Sequence, residues 1–262
     1  MFFLGFIGAL MIGLVLGLIG GGGSILTVPI FVYFLDINPI LATAYSLFVV
    51  GITALVGALR NLNKNLIEFK TGFVFAIPSF VGVYIARAYL LELIPEKFII
   101  FSNFFYKETA IMIFFAIIML LASYFMIRGH KQDKNESIKN YNSLALIVEG
   151  FIVGILTGIV GAGGGFLIIP ALVLFAKLPM KKAVATSLLI IAIKSLFGFL
   201  GDLGNSNLIF DWQLLSTFTL LSIVGIFIGV YFTNFIDAKN LKKGFGLFVF
   251  TMSIIIIIKE FV

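Results

Sequence analysis

Two clusters of glycine interrupt an apolar sequence: Gly20, Gly21, Gly22 and Gly23, and later Gly161, Gly163, Gly164 and Gly165. Glycine lets a chain leave a helix and lets another group approach the backbone closely. A short apolar segment starts at each cluster, Ser24–Leu35 and Gly165–Ala176. As helices, these segments present free N–H groups and about half a positive charge at their starts. Together they make an anion site out of backbone. Side chains can extend it. Ser24, Ser46 and Ser187 offer hydroxyls to substrate oxygens, with Thr43 and Thr186 near them. Lys194, deep in an apolar run, offers a countercharge. Packing competes with each of these readings. Gly13/Gly17 and Gly154/Gly158 have the spacing that lets helices touch. Buried hydroxyls bond the preceding helical carbonyl, and a lysine can snorkel to an interface.

Other chemistries are excluded. There is no cysteine, and the one histidine, His130, sits in a polar stretch. No metal site and no cofactor is expected. A dinucleotide fingerprint started at Gly20 or Gly161 meets Ile25 or Phe166 where its last glycine belongs. No phosphate-binding G-x-x-x-x-G-K-[ST] loop, nucleophile–base pair or HExxH appears, so the chain reads as no enzyme.

The elements that must position these residues follow from composition. Of 262 residues, 61% are hydrophobic and 11% charged, against about 45–50% and about 25% in soluble domains. That is a polytopic membrane protein whose partner is the lipid bilayer. Its net charge of +6 then speaks for orientation, not for nucleic acid. The apolar runs are 2–19, 24–35, 41–59, 71–91, 107–127, 144–160, 165–176, 183–200, 214–236 and 241–258. They are uniformly apolar and too long for barrel strands. The expectation is an all-α fold of about eight transmembrane helices. The 12-residue runs at 24–35 and 165–176 reach only about 18 Å as helices. They are expected as short broken or re-entrant helices. The charge-free N-terminal run is expected to belong to the mature protein rather than to a signal peptide.

The chain is a duplication. Shifted by 141 residues, GLIGGGGSILTVP (17–29) lies on GIVGAGGGFLIIP (158–170), and 15 of the 41 positions from Gly17 to Gly57 are identical. The shared Gly, Pro and Ser positions cannot come from apolar bias. After a two-residue insertion, Val81-Gly82 falls on Val224-Gly225. The organisation expected is a repeat at 1–127, a linker at 128–143 and a second repeat at 144–262. If each break pair makes no net crossing, or crosses twice, the repeats are inverted. Thirteen of the basic loop residues then share one side, from Arg60 and Lys64 to Lys242 and Lys243. The positive-inside rule selects this arrangement, with the linker cytoplasmic and both termini outside. Inverted repeats with matching interrupted helices point to secondary transporters. Among the remaining polar residues, Arg87 and Glu149 are expected to face headgroups and Trp212 to anchor an interface. Asn61 and Asp202 read as helix-end residues, and Asp202 also as a candidate for a coupling proton.

The duplicated G-x-x-G-x-G-G…P element with its following A-x-A-x-S-L helix resembles the TauE/SafE family, the sulfite exporters. The resemblance covers both halves. It implies an anion permease of the cell membrane that exports sulfite, sulfoacetate or related compounds, with a small anion as its partner. Some members of that family are tied to other small carboxylates. An anion channel built on the same helix ends is the alternative. Replacing Lys194 by Met, or Gly22 and Gly163 by Leu, is expected to abolish transport and leave the fold intact.

Overall fold

The computed structural model describes residues 2–21, 23–100, 103–128, 143–161, 163–204, 208–232 and 238–261. Gly22, His130 and the linker from 129 to 142 lie outside them. The apolar runs are helices: α1 Phe2–Ile19, α2 Ser24–Leu35, α3 Pro39–Leu62, α4 Phe69–Ile85, α5 Leu91–Leu93, α6 Lys107–Arg128, α7 Ser143–Val160, α8 Gly165–Leu174, α9 Met180–Leu203, α10 Trp212–Phe232 and α11 Ala238–Phe261. A chain in lipid must pair its backbone internally, and a helix does so within one segment. Five helices are long and apolar enough to cross a membrane: α3, α4 continued to Leu93, α6, α9 and α10. Shorter apolar helices lie at Gly5–Ile19, Ser24–Leu35 and Leu144–Val160. Large side chains on the outside are apolar, such as Ile77, Leu121 and Leu220, whereas Ser24, Ser46, Thr53 and Lys194 are buried. That inversion of the soluble pattern fits a lipid surround.

Two local features depart from the all-helical expectation. A π-helical turn, Ala86–Leu90, joins α4 to α5. An antiparallel hairpin, β1 Lys97–Ile100 with β2 Asn103–Tyr106, pairs Lys97 with Tyr106 and Ile100 with Asn103.

Both breaks follow one pattern. Gly20 (φ 80°) ends α1 and Gly161 (φ 69°) ends α7. Their N–H groups donate to Leu16 O at 2.8 Å and Thr157 O at 2.9 Å. A left-handed residue at this position is a common helix stop, and glycine takes it without strain. The short helices also end alike. Asp36 and Lys177, 141 residues apart, are both left-handed. Ile37 N donates to Phe31 O at 3.0 Å, and Leu178 N to Leu172 O at 3.1 Å. That stop at 175–178 makes α8 two residues shorter than the apolar run. α2 folds back along α1: Gly5 meets Leu35, Gly8 meets Ile30, and Gly23 meets the backbone of Ile12 and Leu16. α1 and α2 are therefore antiparallel, with the start of α1 beside the end of α2.

The halves pack through matched elements: α1 on α10, α7 on α4, α3 on α9 and α6 on α11. Glycine contacts give the directions. Gly13 lies against Ser222 and Ile226, and Gly17 against Ile226 and Val230, so α1 and α10 run parallel. Gly154 lies against Ser79 and Gly158 against Val83, so α7 and α4 also run parallel. Gly51 meets Leu196 and Gly57 meets Leu188, so α3 and α9 are antiparallel. The glycine pairs at four-residue spacing therefore serve close helix packing.

A second match crosses the halves. Glu68 N donates to Thr186 Oγ1 at 3.0 Å, and Asp211 N donates to Tyr45 Oη at 2.7 Å. Under the duplication, with its insertion, Glu68 corresponds to Asp211 and Tyr45 to Thr186. Each hydroxyl thus holds the start of a helix from the other half. Thr186→Val and Tyr45→Phe are each expected to cost about 1 kcal/mol of stability. Thr251→Val, at an exposed position whose hydroxyl bonds within α11, should cost nothing comparable. Thermal unfolding in one detergent compares the three.

Candidate functional site

The two breaks meet. A Cβ built on Gly21 would lie 2.4 Å from Gly165 Cα, and one built on Gly165 would lie 2.2 Å from Gly21 Cα. Gly20 sits against Val184, and Gly161 against Thr43, its counterpart by the 141-residue shift. Gly163 faces Val50 and Ser24. Gly23 packs on α1 and serves as the N-cap of α2, and Gly164 (φ 69°) as the N-cap of α8. Neither start carries a side-chain cap. Ser24 does not supply one, because its hydroxyl donates to Gly21 O at 2.7 Å.

These contacts correct one expectation. A leucine at Gly163 would drive into Val50 Cγ1, 2.5 Å from where its Cβ must stand, with Ile191 and Ser24 close behind. Such a variant disturbs the packing as well as any binding, so it does not isolate the site. Gly22, the other position proposed for that test, lies outside the described residues.

The repeat-related serines differ. Ser187 Oγ stands within hydrogen-bond distance of two carbonyls, Gly20 O at 2.9 Å and Val184 O at 2.8 Å, which share its one proton. Ser46 Oγ is buried and has no partner among the described residues. It lies on α3 between Thr43, which meets Gly161, and Val50, which meets Gly163. Residues three and four apart share a helix face, so Ser46 stands on the face turned to the second break.

Lys194 is 0% exposed. A side chain with no exposure reaches no interface, so the snorkelling reading fails. Its Nζ lies 2.5 Å from Thr157 Oγ1. A Cβ on Gly164 would come within 2.7 Å of the same nitrogen. Thr157 donates its own proton to Val153 O at 2.7 Å, so it accepts from the lysine. An ammonium has three protons to place. Among the described residues no carboxylate pairs with this one. The first half has Thr53 and Leu16 at the corresponding positions, and Thr53 bonds its own helix at Val49 O. The cation therefore belongs to one break only. Thr157 escaped the sequence reading, although the need of a buried lysine for an acceptor in the last turn of α7 was a usable signal.

Arg87 does not face headgroups. It is 4% exposed, Nη2 stands 2.8 Å from Asp202 Oδ2, and Nη1 donates to Thr43 Oγ1 at 2.8 Å. It stands in the π-helical turn, whose altered winding accompanies this inward placement against the end of α9. Asp202 is accordingly buried rather than a solvated helix end. Glu149 is half-buried, and its Oε2 has no hydrogen-bond partner among the described residues. Asn61 keeps a helix-end role, donating to Gly57 O at 2.9 Å. Trp212 is exposed and joins a ring cluster with Phe48, Phe199 and Phe210. Among the described residues no group of His, Cys, Asp or Glu could hold a metal ion.

Paired broken helices, a lipid-type surface and a buried cation at the breaks define a multi-pass helical membrane protein of the transporter class. The comparisons name the kind. The family described as "Sulfite exporter TauE/SafE" matches residues 5–256. The chain belongs to this family of membrane transporters. A probable membrane transporter protein of Xylella fastidiosa is 27% identical over 255 residues, covering 94% of this chain and 91% of that protein. The probable membrane transporter protein YunE of Bacillus subtilis is 31% identical over 213 residues, covering 72% and 73%. One from Methanocaldococcus jannaschii is 30% identical over 203 residues, covering 74% and 71%. No solved structure matches the chain significantly.

Proposed function

We propose that the chain is a secondary carrier of a small anion, sulfite or an organosulfonate such as sulfoacetate, and that it works by alternating access. The observation that carries this reading is Lys194, fully buried with one described acceptor and set against the uncapped start of α8. A buried charge without a countercharge is costly, and a bound anion supplies one. Gly163, Gly164 and Gly165 with the Ser46 hydroxyl complete the second half-site, and Thr157 positions the Lys194 ammonium. Gly20, Gly21, Gly22, Gly23, Ser24 and Ser187 form the first.

The repeats, 1–127 and 144–262, are read as inverted. The antiparallel α3 and α9, equivalent elements in the two halves, support this, as does the antiparallel α1–α2 pair. With no net crossing in either broken-helix pair, α3, α4 and α6 in the first half and α9, α10 and α11 in the second make three crossings each, which puts the 128–143 linker in the cytoplasm and both termini outside. The backbone contact between Gly21 and Gly165 favours a carrier over a channel, because it joins the breaks where a pore would run.

Counterflow tests this function. Proteoliposomes preloaded with sulfite should accumulate ³⁵S-sulfite, and unlabelled sulfite outside should compete. Uptake that ignores the preload and rises linearly with concentration would overturn the carrier. Thr157→Val removes a hydrogen bond to a charged group, worth about 1.5–3 kcal/mol. That bond forms without the anion, so its loss should lower the unfolding temperature, and release of the ammonium from its place should raise the half-saturating sulfite concentration.

A further inference from the structure

α4 and α9 come from opposite halves and run parallel. Gly72 meets Thr186 and Leu189, Gly198 meets Val83, and Gly201 meets Tyr84 and Arg87. An ion pair closes each end of this interface. At one end Arg87 meets Asp202 at 2.8 Å, both buried. At the other, Lys182 meets Glu68, with side chains 38% and 39% exposed. Along α9, Lys194 lies between the two pairs.

The matching interface, α3 with α10, is built otherwise. Leu41, Asn61 and Val230 stand where the duplication would place Lys182, Asp202 and Arg87. Among the described residues no ion pair links α3 to α10. Its contacts include Phe48 with Trp212, Tyr45 with Phe210 and the start of α10, and the Arg60 guanidinium 5.2 Å from the centre of the Phe227 ring. One of two related interfaces therefore carries both latches.

The inner chemistry of the buried latch suits breaking. A buried ion pair is weak evidence for stability, since apolar residues of like size often serve as well. Arg87 Nη2 meets Asp202 Oδ2 at 2.8 Å through one contact, and Arg87 Nε has no hydrogen-bond partner among the described residues. Arg87 also stands in a π-helical turn, and such turns are local insertions that recur at functional sites.

We propose that the two pairs are alternate gates: parting Arg87 from Asp202 opens the site to one face of the membrane, and parting Glu68 from Lys182 opens it to the other. This rests on the carrier reading but not on the identity of the substrate.

The natural chain has no cysteine, so Val50→Cys, beside Gly163, gives a single buried probe. A membrane-impermeant methanethiosulfonate is applied to right-side-out and to inverted vesicles without substrate. Asp202→Asn should speed labelling by about tenfold from one face, and Glu68→Gln by a like factor from the opposite face, as a shift in conformer populations requires. Should Asp202→Asn not fold, Arg87→Lys carries the same expectation, because its shorter arm cannot hold Asp202 and Thr43 together. Acceleration from the same face by both variants, equal acceleration from both faces, or no acceleration would overturn the proposal. Counterflow that fails for sulfite while labelling is face-selective would leave the gates standing and remove only the substrate.

Discussion

Lys194→Met should abolish counterflow and at the same time raise the unfolding temperature. The two signs follow from one arrangement. A lysine at the middle of a span costs about 2.5–3.5 kcal/mol on insertion scales. Here the ammonium is fully buried, and its described partner is a single hydroxyl. Methionine keeps the length and flexibility of the stem and removes the charge. Thr157 loses a donor but keeps its own bond to Val153 O, so the substitution leaves no orphan. The apo protein then gains up to the insertion cost. An anion, by contrast, loses its countercharge, and helix ends alone hold it poorly. Thermal unfolding and counterflow on one preparation give both readings. A variant that loses transport and stability together would make Lys194 a structural residue, and one that transports normally would remove it from the site.

Legibility in the sequence was uneven, and for physical reasons. α1 and α2 start and stop where the apolar runs do, because a glycine cluster is both a break in hydropathy and a break in backbone geometry. The placement of Lys194 in the interior was readable because its depth in an apolar run is a local property. The partner of Lys194 was not: Thr157 is 37 residues away, and their meeting depends on how α7 packs beside α9. Arg87 shows the same limit more sharply. Near the end of an apolar run it resembles a headgroup residue, and only the π-helical turn and the crossing of α4 with α9 bring it to Asp202. The 97–106 hairpin was missed because its strands, KFII and NFFY, are four residues each with three apolar residues in a row, so no alternation marked them. The duplication was visible in shared glycines, but the swap of partners between halves, Glu68 to Thr186 and Asp211 to Tyr45, is a property of the assembled fold.

Gly21→Ala and Gly165→Ala should each leave little folded protein, whereas Gly244→Ala should behave as wild type. Adding one methyl is a small change in volume, so the outcome depends on what the methyl meets. At Gly21 it meets Gly165 Cα at 2.4 Å, and at Gly165 it meets Gly21 Cα at 2.2 Å. Backbone cannot rotate aside as a side chain can, so the breaks must part. Overpacking typically costs about 1–3 kcal/mol, and a backbone-to-backbone clash belongs at the top of that range. Gly244 has nothing within 4 Å, and alanine there even favours the helix by about 1 kcal/mol. Size-exclusion profiles of the three proteins in the same detergent read the result. Gly161→Ala adds a second cause, since its left-handed backbone (φ 69°) strains any side chain and its Cβ would lie 2.4 Å from Thr43 Cα. If Gly21→Ala and Gly165→Ala fold normally, the breaks stand further apart than 2.4 Å allows. The half-sites would then be separated by a gap, and the channel would regain the ground that this contact takes from it.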